Sequence, residues 1–337
     1  MTVKVGFNGF GRIGKLTLRA INKYYKDDLE VVAVNNWSDP KTNAHLIKRD
    51  TVYGQYPGEV EYSDDSVIVD GKKIRVFNVA KPEDVDWLDY GVDIILECSG
   101  VYTDAKMSEV LVKKGIKKVL ISAPAKNEDI MLVYGVNEHF YQPEKHHLLS
   151  NASCTTNCVA PVARVLHDTF GVEKALMTTV HAVTTDQRLL DGRHSDLRRA
   201  RAAMMNIIPT TTGAAKAVTR IIPELEGKID GIAFRVAVPT VSVVDLVAIL
   251  KKKVTIDDIN RSFKEAAEGS MSKIMEYCEE ELVSTDFSGN PASAIIDAPG
   301  TMVIADNMVK VMAWYDNEWG YSCRMADLTK YISDQGL

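Results

Sequence analysis

One cysteine sits among small hydroxyl and amide residues, in the run Ser150-Asn151-Ala152-Ser153-Cys154-Thr155-Thr156-Asn157-Cys158. The apolar positions that follow, Cys158, Val162, Val165 and Leu166, have helical spacing, and Ser153 is of the type that caps a helix. Cys154 therefore falls at a predicted helix N-terminus, where unpaired N–H groups and the positive dipole end favour a thiolate. A reactive thiolate needs a partner that handles protons. Of the seven histidines, His181 is the candidate, because it ends the strand-like run from Ala175 and has Thr178, Thr179, Thr184 and Thr185 around it. His45 reads as part of a charged helix and His146-His147 as a loop pair, all three at the surface.

A second constellation opens the chain. Gly9-Phe10-Gly11-Arg12-Ile13-Gly14 is a G-x-G-x-x-G between a strand pattern, Val3–Phe7, and a helical one, Arg12–Tyr25. In that context the first glycine allows a tight turn and the second lets a pyrophosphate approach the backbone. The third packs helix on strand, and the helix N-terminus attracts phosphate charge. A dinucleotide is the expected ligand. About 20 residues on, a carboxylate normally holds the adenosine ribose, but the strand here ends Val34-Asn35-Asn36-Trp37. Asn36 stands in the acidic position, and the next acid, Asp39, lies past the strand. An amide can donate to a 2′-phosphate that a carboxylate would repel, so the reading leans to NADP or to use of both cofactors.

These residues need elements to hold them. In the first half, short apolar runs at Val3–Phe7, Val31–Val34, Val92–Glu97 and Val119–Ser122 alternate with helical stretches at Arg12–Tyr25 and Thr103–Lys114. Alternation of this kind predicts an α/β fold with a doubly wound parallel sheet of the Rossmann type. Val67 to Lys72 reads as a hairpin turning on Asp70-Gly71. The second half, with long strand patterns at Ala175–Val183, Ile229–Val238, Val241–Leu250 and Met308–Tyr315, predicts an α+β domain with a mostly antiparallel or mixed sheet. Its helices are expected at Cys154–Asp168, Thr212–Ile222 and Ile256–Glu268. The expected division is 1–152 and 153–316, with a C-terminal helix at about 317–337 packing back onto the first domain.

Composition narrows the function. The 337 residues are 46% hydrophobic and 26% charged, with net charge −6, which argues against binding to nucleic acid or to an anionic membrane. No leader pattern precedes Val3, and Val238 to Leu250 is short and broken by Pro239 and Asp245. Five cysteines without framework spacing suggest a reducing compartment, so the cytoplasm is expected. Cys98, Cys158, Cys278 and Cys323 read as small buried packing residues. No second Cys or His pair stands at zinc spacing beside Cys154 and Cys158, so no metal is expected.

Taken together, the motifs resemble those of the glyceraldehyde-3-phosphate dehydrogenase family, phosphorylating type. The resemblance runs through Asn8–Gly14, Ser150–Cys158, Thr178–His181, Asn206–Lys216, Val241–Leu246 and Trp314–Tyr321. It implies that Cys154 attacks the aldehyde of glyceraldehyde 3-phosphate, that His181 acts as base, and that inorganic phosphate releases the resulting thioester as 1,3-bisphosphoglycerate. It implies that Thr184 and Arg235 hold the substrate phosphate. Ser153, Thr155, Thr212, Gly213 and Arg199 would hold the attacking phosphate, with Arg198 and Arg201 open as alternatives to Arg199. Arg12, Ile13, Ser122, Asn317 and Tyr321 resemble cofactor contacts, Asn317 holding the carboxamide. The family implies a homotetramer in which an S-shaped loop crosses toward a neighbour's adenosine. There Gly192-Arg193 stands where NAD-specific members carry a pair ending in proline, so Arg193 joins Asn36 in pointing to NADP. Erythrose-4-phosphate dehydrogenase is the alternative, against which the intact Thr212-Gly213 step weighs. A Cys–His hydrolase is disfavoured by the glycine fingerprint, and a non-catalytic nucleotide or RNA scaffold by the charge and the full catalytic set.

Overall fold

The computed structural model describes residues 2–337, which fall into two compact units. The first contains the chain up to Leu132, Glu138–Ala152 and Ser322–Leu337; the second contains Val133–Asn137 and Ser153–Tyr321.

The first unit is built on a nine-stranded sheet. Its strands run in the order Ile130–Met131, Leu148–Ser150, Lys118–Ile121, Ile94–Glu97, Val3–Asn8, Leu29–Asn35, Lys72–Phe77, Ser66–Val69 and Val60–Tyr62. The first seven are mutually parallel, and each of the last two pairs antiparallel with the strand before it. Val5, Phe7, Ala33, Val34, Ile94, Ile95, Leu96 and Leu120 are wholly buried. That is why these strands read as continuous apolar runs rather than alternating ones. The hairpin turns on Asp70 (φ 50°) and Gly71 (φ 78°), both left-handed as a two-residue turn between twisted strands requires. In the last segment of this unit, Tyr25 Oη donates to Asp327 Oδ1 at 2.5 Å and Tyr141 Oη to the Gly336 carbonyl at 3.0 Å.

Two expectations for this unit need correction. The helix expected at Thr103–Lys114 is a 3₁₀ turn, Ala105–Ser108, followed by a short helix, Glu109–Lys113. Asp104 caps the turn by accepting from the Lys106 amide, which starts the winding later than the pattern implied. His146 and His147 are half-buried. His146 Nδ1 accepts from the Gln142 amide at 3.0 Å, and the His146 carbonyl accepts from the wholly buried Lys118 ammonium at 2.9 Å.

The second unit holds a seven-stranded mixed sheet. Its order is Ile208–Thr211, Ile229–Arg235, Val172–His181, Ser242–Leu250, Met308–Tyr315, Ala294–Ile304 and Met275–Cys278. Along Ser242–Leu250 buried and half-buried residues alternate strictly, as expected when one face carries the core. The helix Cys154–Phe170 lies against that sheet. The other face leaves Leu176, Ile232, Met302, Ile304 and Met308 exposed. The two outer strands beginning at Met275 and Ala294 were not read from the sequence. Cys98 and Cys278, expected to be buried, are half-buried.

The glycine fingerprint shows why each glycine is there. Gly9 has φ 86°, and a Cβ on it would lie 2.3 Å from the Ser99 amide nitrogen. A Cβ on Gly14 would meet the Gly9 carbonyl at 2.9 Å, whereas one on Gly11 would meet nothing within 4 Å. Gly9→Ala should therefore destabilise the protein by about 2 kcal/mol or more. Gly11→Ala should fold normally yet weaken dinucleotide binding at least about tenfold. Chemical denaturation together with a cofactor titration checks both, and a Gly11 variant that binds normally would contradict the open approach in front of it.

Candidate active site and dinucleotide cleft

In the first unit, a cleft of about 410 Å³ opens over the fingerprint, lined by Asn8, Gly9, Phe10, Gly11, Asn36 and Trp37 among others. This volume is within the range that holds small ligands. The helix Arg12–Tyr24 begins at Gly11 with no side-chain cap, so its first amides are left for an anion. The floor is a polar relay. Glu97 accepts from Asn8 Nδ2 at 2.5 Å, Asn8 Oδ1 from Asn35 Nδ2 at 3.0 Å, and Asn35 Oδ1 from the Val79 amide at 3.1 Å. Burial raises the Glu97 carboxyl above its ordinary value. Trp37 stands 74% exposed at the rim.

Asn36 lines this cleft, and Asp39, which might have replaced it, is spent capping the helix Pro40–Lys48 through the Thr42 amide at 2.6 Å. The remaining expected contacts of this unit, Arg12, Ile13 and Ser122, are not among the residues that line the cleft. Arg12 pairs with Asp50 at 2.8 Å, Ile13 is half-buried in the first turn of the helix, and the Ser122 amide donates to the Glu97 carbonyl at 2.9 Å.

In the second unit, Ser153 Oγ accepts from the Thr156 amide at 3.0 Å and caps the helix whose first residue is Cys154. A cap of this kind is worth about 1 kcal/mol. The turn into it is strained, since Ala152 sits at φ 53°. Cys154 Sγ lies 3.4 Å from His181 Nε2. The other ring nitrogen, Nδ1, is 2.8 Å from Arg235 Nη1 and 2.7 Å from the Ala182 carbonyl. In the neutral ring these contacts exclude each other: a proton on Nδ1 goes to Ala182 and leaves Nε2 as a bare base. A lone pair on Nδ1 accepts from Arg235 and puts the proton on Nε2, facing the sulfur. The ring therefore has a partner in either proton placement.

Electrostatics here departs from the expectation of a ready thiolate and a near-neutral histidine. Burial pushes the Cys154 thiol above its usual 9.0, against the opposing pull of Arg235 and of hydrogen bonds from Thr155. Burial first, and then the Arg235 charge, push His181 down to about 3. Both shifts oppose a thiolate–imidazolium pair. Because the folded protein holds His181 below its ordinary value of 6.5, the unfolded chain takes up that proton first. This group therefore costs stability increasingly as pH falls below 6.5.

Of the anion-binding candidates, Arg235 touches His181 directly. Arg235 Nη1 also reaches Thr184 Oγ1 at 3.4 Å, and Arg235 Nε is buried without a partner. Arg199 bonds Asp186 at 2.6 Å, Thr210 Oγ1 at 2.9 Å and the Thr211 carbonyl at 3.2 Å, and its charge is felt at both Arg235 and His181. By contrast Arg201 pairs with Asp191, and Arg198 is exposed and reaches only the Pro209 carbonyl, at 3.4 Å. Thr212 Oγ1 accepts from the Ala214 amide at 3.2 Å, so the helix begins at Ala214 rather than Thr212, and a Cβ on Gly213 would meet nothing within 4 Å. The Thr155 hydroxyl is bonded to Tyr315 Oη at 2.9 Å, and the residue is buried against the Cys154 thiol, to which it also hydrogen-bonds. Arg193 is exposed in the loop after His181, with its carbonyl accepting from Arg188 at 2.9 Å.

Sequence reasoning missed the brace for Asn317. Ser242 Oγ accepts from the Ala182 amide at 3.0 Å and donates to Asn317 Oδ1 at 2.9 Å, which turns the buried amide's Nδ2 away from Ser242. Asp316 accepts from Thr240 Oγ1 and from the Glu318, Trp319 and Gly289 amides, holding the start of the last helix. Tyr321 and Cys154 line one small pocket with Asn157, Ser293 and Tyr315. Ser242 begins a strand and Asp316 precedes Asn317, but nothing in residue spacing shows where their side chains meet.

Residues 3–105 match the description "Glyceraldehyde 3-phosphate dehydrogenase, NAD binding domain", and residues 153–317 match "Glyceraldehyde 3-phosphate dehydrogenase, C-terminal domain". The chain belongs to the glyceraldehyde-3-phosphate dehydrogenase family. Among the proteins of that name it is 54% identical to the one from Geobacillus stearothermophilus, over 100% of both chains. It is 53% identical to the one from Streptomyces coelicolor, over 99% of this chain and 100% of the relative. It is 51% identical to glyceraldehyde-3-phosphate dehydrogenase 2 of Bacillus subtilis, over 99% of this chain and 97% of the relative. Nothing in these likenesses favours the erythrose-4-phosphate alternative. Among the described residues no helix is long and apolar enough to cross a membrane, and no cluster of side chains could hold a metal ion.

The electrostatics carry a test. Alkylation of Cys154 by iodoacetamide in the cofactor-free protein should rise with pH through a midpoint above 9.0. His181→Asn should leave that midpoint within about half a unit, because a neutral imidazole holds no thiolate down. An inflection near about pH 6 that vanishes in the variant would instead reveal an ion pair.

Proposed function

We infer that the protein oxidises D-glyceraldehyde 3-phosphate, with a nicotinamide dinucleotide and inorganic phosphate, to 1,3-bisphosphoglycerate. The observation that carries this reading is the Cys154–His181 contact of 3.4 Å at the capped helix start, with Arg235 behind it. The cleft fits the dinucleotide: space is open in front of Gly11, the helix amides are uncapped, and no carboxylate lines the adenosine end. When bound, the dinucleotide supplies the acceptor for the hydride.

The chain's own residues do the rest. Cys154 gives its proton to His181 Nε2 while the Nδ1 proton rests on Ala182, and the sulfur bonds to the aldehyde carbon. The Cys154 amide supports the oxyanion that forms, the His181 imidazolium returns the proton to it to give the thiohemiacetal hydroxyl, and the neutral imidazole takes that proton back as the hydride departs. Thr184 and Arg235 hold the substrate phosphate. An anion paired with the unpartnered Arg235 Nε offsets the charge that depresses His181, so substrate arrival itself makes the imidazole a better base. Arg199, Thr212, Gly213 and Ser153 hold the second phosphate, which attacks the thioester carbon and expels the Cys154 thiolate. Asn317, braced by Ser242, orients the carboxamide. Gly9–Gly14, Arg12, Ile13, Ser122 and Tyr321 complete the cofactor contacts.

Residues 1–152 with the C-terminal helix form the cofactor domain in this reading, and 153–316 the catalytic one. Asn36 and Arg193 favour NADP, used at least comparably with NAD. The exposed apolar side chains of the second sheet and of the segment around Leu189, Leu190 and Leu197 support a homotetramer. The setting is the cytoplasm and the glycolytic or gluconeogenic direction.

Cys154→Ser should lower phosphate-dependent cofactor reduction by at least about a thousandfold; full turnover would remove the nucleophile from this account. In the wild type, comparing kcat/KM for the two cofactors decides the preference, and a hundredfold advantage for NAD would overturn the roles given to Asn36 and Arg193. Sedimentation at micromolar concentration should show four copies, and a stable monomer would defeat the assembly.

A further inference from the structure

The second strand of the cofactor cleft ends in two amides that hold each other. Asn36 Nδ2 donates to Asn43 Oδ1 at 2.7 Å. Which end of each amide faces the other is fixed from outside by one residue, Ser38. Its backbone N–H can only donate, and it lies 2.7 Å from Asn36 Oδ1. Its carbonyl can only accept, and it lies 3.0 Å from Asn43 Nδ2. With Oδ1 of Asn36 turned to one and Nδ2 of Asn43 turned to the other, only Nδ2 of Asn36 and Oδ1 of Asn43 remain to meet. Asn43 is wholly buried, on the helix Pro40–Lys48, and does not line the cleft. Asn36 does line it.

We propose that Asn43 is a positioning residue for cofactor choice: it pins Asn36 so that an amide N–H, and not an oxygen, faces the adenosine 2′ group. This rests on the reading that the cleft binds a nicotinamide dinucleotide. One of the two Nδ2 protons of Asn36 goes to Asn43. The second is left as a donor, suited to the oxygen of a 2′-phosphate or of a ribose hydroxyl. Asn43 also works against the carboxylate that an NAD-selective site uses. An aspartate at 36 would keep one oxygen on the Ser38 amide and press the other against Asn43 Oδ1. Turning the Asn43 amide over would relieve that contact only by setting Oδ1 against the Ser38 carbonyl. Each arrangement leaves two acceptors face to face in a buried setting, where such a contact is costly. Changing residue 36 alone should therefore fail to convert the enzyme.

The test is a double-mutant cycle read by kcat/KM and KM for NAD and NADP at saturating aldehyde and phosphate. Asn43→Ala should raise KM for NADP about tenfold while kcat and the NAD parameters stay within about twofold. Asn36→Asp alone should be poor with both cofactors. The double variant N36D/N43A should regain NAD use at least about tenfold over N36D, a non-additive result. Asn43→Leu fills the buried site with a side chain of similar size and should repeat the loss for NADP, so a failure of the alanine variant to fold leaves the test intact. Additivity, or equal losses with both cofactors in the Asn43 variants, would overturn the proposal. If the wild type strongly prefers NAD but the cycle remains non-additive, the NADP reading falls and the role of Asn43 stands. If no variant or wild type binds either cofactor, both fall together.

Discussion

The contact between Arg235 and His181 is the constraint from which the catalytic geometry follows. A guanidinium has only protons to offer and keeps them: Nδ1 accepts from it in one tautomer, and in the other Nδ1 donates to the Ala182 carbonyl, which Arg235 Nη1 also reaches at 3.1 Å. Sheet register creates the contact: Val172–His181 and Ile229–Arg235 run parallel, and His181 and Arg235 are direct partners. A slip of one residue would send one of the two side chains to the opposite face. The imidazole is thus held between a cation and the Ala182 carbonyl on one nitrogen and a thiol on the other. Burial lowers its proton affinity, and the arginine lowers it further. Burial likewise raises the Cys154 thiol, so both shifts oppose a charged pair in a setting where buried ions are costly.

The same register positions the supporting groups. Ser242 is opposite Tyr315 on the neighbouring strand. Tyr315 Oη bonds both Thr155 on the helix and Thr179 on the strand Val172–His181, beyond the intervening Ser242–Leu250, each at 2.9 Å. The tyrosine thereby ties the start of the Cys154 helix to the strand that carries His181. Its ring meets the imidazole edge-on at 6.0 Å. Ser242 links the Ala182 amide to Asn317, two residues beyond Tyr315. The helix start, the strand carrying His181, and Asn317 are fixed through neutral hydrogen bonds, which add rigidity without adding charge to a buried site.

Much of this was legible in the sequence, and the reasons are physical. The parallel sheet announced itself because strands buried on both faces must be apolar throughout. The strand Met308–Tyr315 and the helix Ile256–Glu268 appear at their expected ends, since each carries a clean period of two or 3.6. Ser153 could be read as a cap because capping is local chemistry within four residues. What stayed hidden depended on distance in the chain. Thr155 looks like an exposed helix-start hydroxyl until Tyr315, 160 residues away, takes it. The thiolate expected from the helix dipole is opposed by burial, which no local pattern reports. The half-buried state of His146 follows from a lysine on a strand 28 positions earlier.

Asn36 shows how much of a side chain's chemistry its residue type leaves open. Its place at the strand end was visible, and its amide was set against the carboxylate usually found there. Yet an amide has two faces, donor and acceptor, and the residue type alone does not say which one a ligand meets. That choice is made by Ser38, whose backbone offers a donor to one asparagine and an acceptor to the other. Asn43 appears in the sequence only as a polar residue in a short helix. Its burial, and the rule that a buried amide must satisfy both ends, turn two unremarkable asparagines into one oriented unit. The orientation of the Asn36 amide at this edge of the cleft is therefore a property of the turn rather than of residue 36 alone.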